Sequence, residues 1–245
     1  MKILNIAAYK FVSLDSLPQL QSSVRDALQT RAIKGTVLLA DEGINLFLAA
    51  PSAVIHDFLV WLRLDVRLHD LEVKESFSNA QPFRKLLVKI KPEIIRMNHP
   101  AIQPAAGRAP AVDADTLKRW LDAGHDDSGQ ELLMLDTRND FEVDVGSFKS
   151  ALDWRITKFT EFPKALHAHA QDLKGKTVVS FCTGGIRCEK AAIFMREAGL
   201  QDVYQLDGGI LKYFERHGQA HFQGECFVFD ERRAVDTALN PKVDL

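Results

Sequence analysis

The sequence predicts two domains of different grammar: an α+β half with the element order of a ferredoxin-like fold, then an α/β half with a mostly parallel sheet. Three observations carry this prediction. Residues 1–96 alternate short apolar runs with two amphipathic stretches in the order β-α-β-β-α-β, plus a further strand. Residues 113–222 instead alternate continuous apolar runs with helical periodicity, the pattern of strands buried on both faces. Between them "KPEIIRMNHPAIQPAAGRAPAV" holds four prolines and no sustained period, so residues 97–112 read as a linker. Residues 223–245 remain as a carboxy-terminal arm.

In the first half, "ILNIAAYKFV" is a strand, and "LDSLPQLQSSVRDALQTRA" a helix with Leu17, Leu20, Val24 and Leu28 on one face. Ser16 is the expected N-cap, with Pro18 tolerated in the first turn. "KGTVLLA" and "INLFLAA", split by "DEG", form a hairpin whose tight turn calls for Gly43. "PSAVIHDFLVWLRLD" is a second helix, followed by strands "LEVKESFS" and "FRKLLVKIK". In the second half, "DADTLKRWLDAG" is a capped helix, "ELLMLDTR" a buried strand and "FPKALHAHAQDLKG" a helix ended by Gly175. "KTVVSF" is a buried strand, "GIRCEKAAIFMREAG" a helix ended by Gly199, and "DVYQLDGG" a strand and turn.

Composition narrows the function. A chain of 245 residues with 46% hydrophobic and 26% charged residues suits a cored, non-membrane protein, and no apolar run nears the ~20 residues that span a bilayer. The first residues lack a secretory leader pattern, and three cysteines do not make a disulfide framework, so a reducing cytoplasm is expected. Residues 1–100 carry 13 Lys and Arg against 10 Asp and Glu, a mild basic excess within a chain of net charge −2. No H-x-x-x-H helix motif with a glutamate, no paired C-x-x-C and no G-x-G-x-x-G follow any strand, so neither a metal site nor a bound cofactor is evident.

The chemistry concentrates in "FCTGGIRCEK". Cys182 follows the strand "KTVVSF", at the carboxyl edge where parallel sheets bind ligands. The next helix begins near Gly185 or Ile186, so its unpaired N–H groups and dipole favour negative charge. Gly184 and Gly185 let Thr183 to Ile186 curl into an anion-binding concavity, and Arg187 adds a fixed positive charge. Together these favour a reactive Cys182 thiolate. The spacing to the arginine is C-x4-R, one residue tighter than the phosphate-sized C-x5-R loop, and suits one added atom such as a sulfane sulfur.

"CTGGIR" resembles the active-site loop of rhodanese-type sulfurtransferases. "LLMLDTRNDFEVDVGSFKSALD" and "GLQDVYQLDGGILKY" resemble the flanking segments of that fold. A narrower resemblance covers almost the whole chain. "CTGGIRCEKA", "LLADEGIN" in the preceding ferredoxin-like (split βαβ, acylphosphatase-like) domain, and "GECFVFDERRAV" after it are similar to the rhodanese-domain tRNA uridine(34) hydroxylases. That resemblance implies a tRNA modification enzyme that makes 5-hydroxyuridine at position 34, with molecular oxygen as co-substrate, the tRNA anticodon region as partner and Cys182 as the essential residue. Asp136, Arg138 and Glu142 would border the loop.

Other candidates remain open. Cys188, six residues after Cys182, is either a resolving thiol or a packed helix residue. Cys226 sits in the arm, where packing is the simpler role. "DEGIN" is a nucleotide-contacting loop or an ordinary turn. Lys74, Arg84, Lys85, Lys89, Lys91 and Arg96 form either a phosphate-tracking set or a solvated face. Two alternatives stand beside the hydroxylase: a sulfurtransferase carrying a Cys182 persulfide from a small-molecule or protein donor, and a non-catalytic binding module. Oligomeric state is not encoded in any visible motif.

Overall fold

The computed structural model describes residues 2–242 and forms two compact units. The first runs to Ile95 and includes Phe229–Arg233; the second spans Arg96–Val228 and Ala234–Leu239. The proline-rich stretch 97–112 therefore belongs to the second unit, where it buries Met97, Ile102, Ala109 and Val112.

The first unit holds β1 (Ile3–Phe11), α1 (Leu17–Thr30), β2 (Lys34–Ala40), β3 (Gly43–Ala50), α2 (Ser52–Leu62), β4 (Val73–Ser78) and β5 (Leu86–Ile90). Its sheet runs β4-β1-β3-β2-β5, antiparallel except that β5 joins β2 in parallel. Leu4, Ile6 and Ala8 of β1 and Leu46 and Leu48 of β3 meet Val24 and Leu28 of α1 and Ile55, Phe58 and Leu62 of α2. The period-two and helical patterns thus point both layers at one core. The start of α1 departs from expectation. Ser16 occupies the capping position at φ 50° and its side chain makes no capping bond, because a left-handed backbone turns its hydroxyl from the helix amides.

Two glycines here are fixed by close approach. Gly35 lies at φ 137° with Phe47 O only 2.0 Å from where a Cβ would stand. Gly43, at φ 148°, puts that atom 2.1 Å from Lys10 O, so it serves the passage of β1 as well as the hairpin.

The second unit adds β6 (Ala111–Val112), α3 (Ala114–Ala123), β7 (Leu132–Asp136), α4 (Asp140–Val143), β8 (Gly146–Phe148), β9 (Leu152–Asp153) and α5 (Phe162–His169). Then follow β10 (Thr177–Phe181), α6 (Ile186–Glu197), β11 (Val203–Leu206), α7 (Gly209–His217), β12 (Phe222–Gly224), β13 (Cys226–Phe227) and β14 (Ala234–Val235). The main sheet, β6-β11-β10-β7-β9, is parallel throughout. All of β10 is buried, which is why its sequence shows no polar-out alternation; its two hydroxyl residues, Thr177 and Ser180, are buried and hydrogen-bonded. Asp113 caps α3 by accepting from Thr116 N at 2.8 Å, and Gly124 closes it at φ 79°.

Two expectations are refined. The helix read through to Gly175 ends at His169 and continues as a 3-10 turn over 170–173. The "DGG" turn is not terminal: α7 starts on its second glycine, with apolar residues on one face. Among the described residues no helix is long and apolar enough to cross a membrane. Replacing Gly35 by alanine should destabilise the first unit by at least ~1–3 kcal/mol, since it forces an L side chain into a glycine-only conformation against a carbonyl. Denaturant unfolding of the purified variant, read against an exposed control such as Gln103→Ala, measures the loss.

Candidate active site

Cys182 lies one residue beyond the central strand β10, at the carboxyl edge of the parallel sheet. Thr137 anchors that strand end, its N–H and Oγ1 donating to Phe181 O at 3.0 and 2.9 Å. The loop then bends so that its carbonyls and amides face opposite ways. Cys182 O accepts from Ile210 N at 3.0 Å and Thr183 O accepts from Leu211 N at 3.1 Å, both in the first turn of α7. Gly185 N donates to Cys182 Sγ at 3.2 Å. Gly209, at φ 67°, leaves no room for a Cβ, which would stand 2.4 Å from Cys182 O and 2.7 Å from Gly185 N.

The two loop glycines differ in their reasons. Gly185 needs its left-handed φ of 101° to launch α6. Gly184 has no heavy atom within 4 Å of an added Cβ, so it borders open space. Ile186 is the first residue of α6 and is buried beneath the loop.

Cys182 is buried, 1% exposed, yet the neighbours of its sulfur are polar. Burial opposes its charge, but the donating Cys188 thiol, the Arg187 guanidinium and the N–H groups of Arg187 and Cys188 outweigh it and hold the Cys182 thiol down to about 5. Cys188 Sγ stands 3.6 Å from Cys182 Sγ and 3.1 Å from Gly185 O. Burial and the adjacent sulfur push the Cys188 thiol well up, so it keeps the proton it donates.

Arg187 does not stand alone beside the sulfur. Its two terminal nitrogens donate to Glu142 Oε2 and Oε1 at 2.5 and 2.8 Å, a buried two-point pair. Glu142 also accepts from Asn139 N at 3.1 Å, closing the first turn of α4. Asp136 and Arg138 form a second buried pair, with Arg138 Nη2 donating to Asp136 Oδ2 at 2.7 Å and to Gly146 O at 2.6 Å. Ser147 Oγ donates to Asp136 at 2.7 Å. The three expected border residues therefore divide: Glu142 grips the loop arginine, while Asp136 and Arg138 tie β7 to the segment that carries Glu142.

Cys226 is buried in β13, and burial lifts its thiol to about 11. Its neighbour Phe227 accepts from Thr183 Oγ1 at 3.5 Å and packs edge-on against half-exposed Phe141 at 5.1 Å. Thr137, Gly209 and the Phe141–Phe227 pair were not singled out from sequence. The "DGG" motif was the available signal for Gly209; the aromatic pair is joined only by folding.

The remaining candidates lie elsewhere. Glu42 Oε1 accepts from Ile94 N at 2.7 Å and Asn45 Nδ2 donates to Ile94 O at 3.2 Å, so "DEGIN" fastens the chain after β5. Lys74 sits 5.2 Å from the Tyr9 ring, Arg84 pairs with Glu231, and Lys89 on β5 is exposed, as are Lys85 and Lys91 at its two ends. Arg96 belongs to the second unit and donates to Asn98 Oδ1 at 2.7 Å. Among the described residues no group of three or more His, Cys, Asp or Glu side chains is arranged to hold a metal ion.

A cysteine cradled by loop amides at the edge of a parallel sheet, behind a split-βαβ domain, defines a rhodanese-type protein with an acylphosphatase-like partner domain. Residues 3–94 match the UPF0176 acylphosphatase like domain, and residues 113–216 the rhodanese-like domain. Over 241 residues the chain is 66% identical to the tRNA uridine(34) hydroxylase of Variovorax paradoxus, covering 98% of this chain and 92% of that protein. It is 63% identical over 240 residues to that of Bordetella pertussis, covering 98% of each, and 61% identical to that of Delftia acidovorans over 98% and 92%. The chain belongs to the tRNA uridine(34) hydroxylase family.

Two outcomes follow from this geometry. Iodoacetamide alkylation of Cys182 should show its pH midpoint near 5, falling tenfold per pH unit below it, and Cys188→Ala should move the midpoint upward. Glu142→Gln, which strands Arg187 in the interior, should cost about 3–5 kcal/mol in denaturant unfolding.

Proposed function

We propose that this protein hydroxylates carbon 5 of uridine 34 in tRNA, with molecular oxygen as the oxidant and Cys182 as the reacting group. The carrying observation is the Cys182 sulfur, anionic at neutral pH and aimed into a cradle of loop amides, in a chain 58–66% identical to several tRNA uridine(34) hydroxylases. The loop residues Thr183, Gly184, Gly185 and Ile186 shape the cradle, Arg187 offsets its charge, and Glu142 holds Arg187. A binding module with a vestigial loop has no use for so acidic a thiol.

A base must leave its stack to reach a recessed sulfur. Half-exposed Phe141 and its edge-on partner Phe227, one hydrogen bond from Thr183, offer a face on which an unstacked uracil rests. Lys85, Lys89 and Lys91 offer charge for a phosphate backbone, the anticodon arm of tRNA being the partner. Such a reaction takes place in the cytoplasm, with no membrane involved.

A second reading, persulfide transfer from a sulfur donor, is favoured by the tight C-x4-R spacing and the rhodanese-like match over residues 113–216. The two separate cleanly in a deletion strain. Complementation with the native gene should restore 5-hydroxyuridine-derived nucleosides in tRNA, Cys182→Ser should restore none, and Phe141→Ala should raise the apparent KM for tRNA about tenfold, roughly one stacking contact. Nucleosides unchanged by deletion, together with Cys182-dependent thiocyanate formation from thiosulfate and cyanide, would move the assignment to sulfur transfer.

A further inference from the structure

The geometry points to Cys182 and Cys188 as a dithiol that supplies the two electrons of the hydroxylation, closing to a disulfide in each turnover; this rests on the hydroxylase reading of the same site. Placing one atom of dioxygen on carbon 5 leaves the other to depart as water, which takes two electrons and two protons. Two thiols becoming a disulfide release the same number of each. Uridine C5–H, dioxygen and two thiols thus balance against C5–OH, water and one disulfide.

The structure places these thiols within reach of each other. Their sulfurs are 3.6 Å apart, against about 2.05 Å in a disulfide, and both belong to one short stretch: Cys182 in the loop, Cys188 in the first turn of α6. Both are buried, and the loop borders open space at Gly184, so oxidation from that side meets Cys182 first. Cys226 has its sulfur beside Phe227 O at 3.7 Å and its neighbour's carbonyl tied to Thr183.

The sulfur steps are these. Dioxygen enters at C5 to give a C5 hydroperoxide: the C5–H bond breaks, C5–O and terminal O–H bonds form, and the C5–H electron pair takes dioxygen to the peroxide level. Cys182 Sγ as thiolate attacks its outer oxygen; an S–O bond forms, the O–O bond breaks, and the electron pair stays on the C5 oxygen, which takes a proton from solvent. Cys182 is now a sulfenic acid. Cys188 Sγ displaces the hydroxyl, forming S–S and breaking S–O, and its own proton leaves with hydroxide as water. An external dithiol restores the pair by exchange and is itself oxidised to a disulfide. A thiol that keeps its proton until this step, beside one that has lost it, is the division of labour the sequence of bonds requires.

The test is a single-turnover experiment with the full chain, reduced and then freed of reductant, in air-saturated buffer with tRNA bearing unmodified uridine 34. The wild type should form one 5-hydroxyuridine per enzyme and stop, with a Cys182–Cys188 disulfide in the peptide masses, and dithiothreitol should restart it. Without tRNA the disulfide should form at least tenfold more slowly. Cys188→Ser and Cys188→Ala should each make the first product but leave Cys182 as a sulfenic acid that dimedone captures. Product with both sulfurs still thiols, or several products per enzyme without reductant, overturns the dithiol role and leaves the hydroxylase reading standing. No product in any arm, reductant included, removes both.

Discussion

Everything at the site depends on which way the loop after β10 points its peptide groups. Two of its carbonyls are claimed by the first amides of α7, and this leaves the N–H of Gly185 free to face the sulfur. A helix start is a ready donor, because its first amides have no partners within the helix. Here two helix starts act on one loop: that of α6 turns inward to the thiolate, and that of α7 holds the loop from outside. The backbone sets where the sulfur sits, and the Cys188 thiol and Arg187 guanidinium then do most to hold it as an anion.

The charged side chains then keep the anion tolerable in a buried place. Arg187 faces both the sulfur and Glu142, so its positive charge is shared rather than spent wholly on the thiolate. Asp136 and Arg138 repeat the device one layer away and lock the segment on which Glu142 rides. Buried pairs of this kind add little to net stability when intact and are costly to break. Their role is positional: they fix where the guanidinium stands relative to sulfur. Cys188 completes the set with a proton donor that has no charge of its own to repel.

Much of this was legible in the sequence because it is local. The strand-to-helix turn "SFCTGGIR", the buried run before it and the capped α3 all rest on neighbours within a few residues, where periodicity and turn chemistry are informative. The two fold classes followed from element order, but the strand orders, including the parallel pairing of β5 with β2, required long-range placement. Failures came where the deciding partner is distant. Ser16 looked like a cap, but its backbone is left-handed and its side chain makes no capping bond. The stretch 97–112 looked like a spacer because β6 is only two residues long, too short for any periodic signal. The bond between Arg187 and Glu142 joins residues 45 apart, and the contact of Thr183 with Phe227 joins residues 44 apart. Neither spacing announces itself in a linear text.

The crowding at Gly209 has a consequence for anyone who would move this loop to another protein. The six residues from Cys182 to Arg187 would not carry their geometry with them, since the Ile210 and Leu211 amides that brace their carbonyls, and the left-handed Gly209 that lets them approach, arrive more than twenty residues later, beyond an entire helix and strand. A transplant would have to bring that second turn along, in the same sheet order. The smallest portable unit is therefore a strand-helix-strand-turn block rather than a motif, and a search for kindred chemistry by loop pattern alone will collect chains that own the letters without the brace.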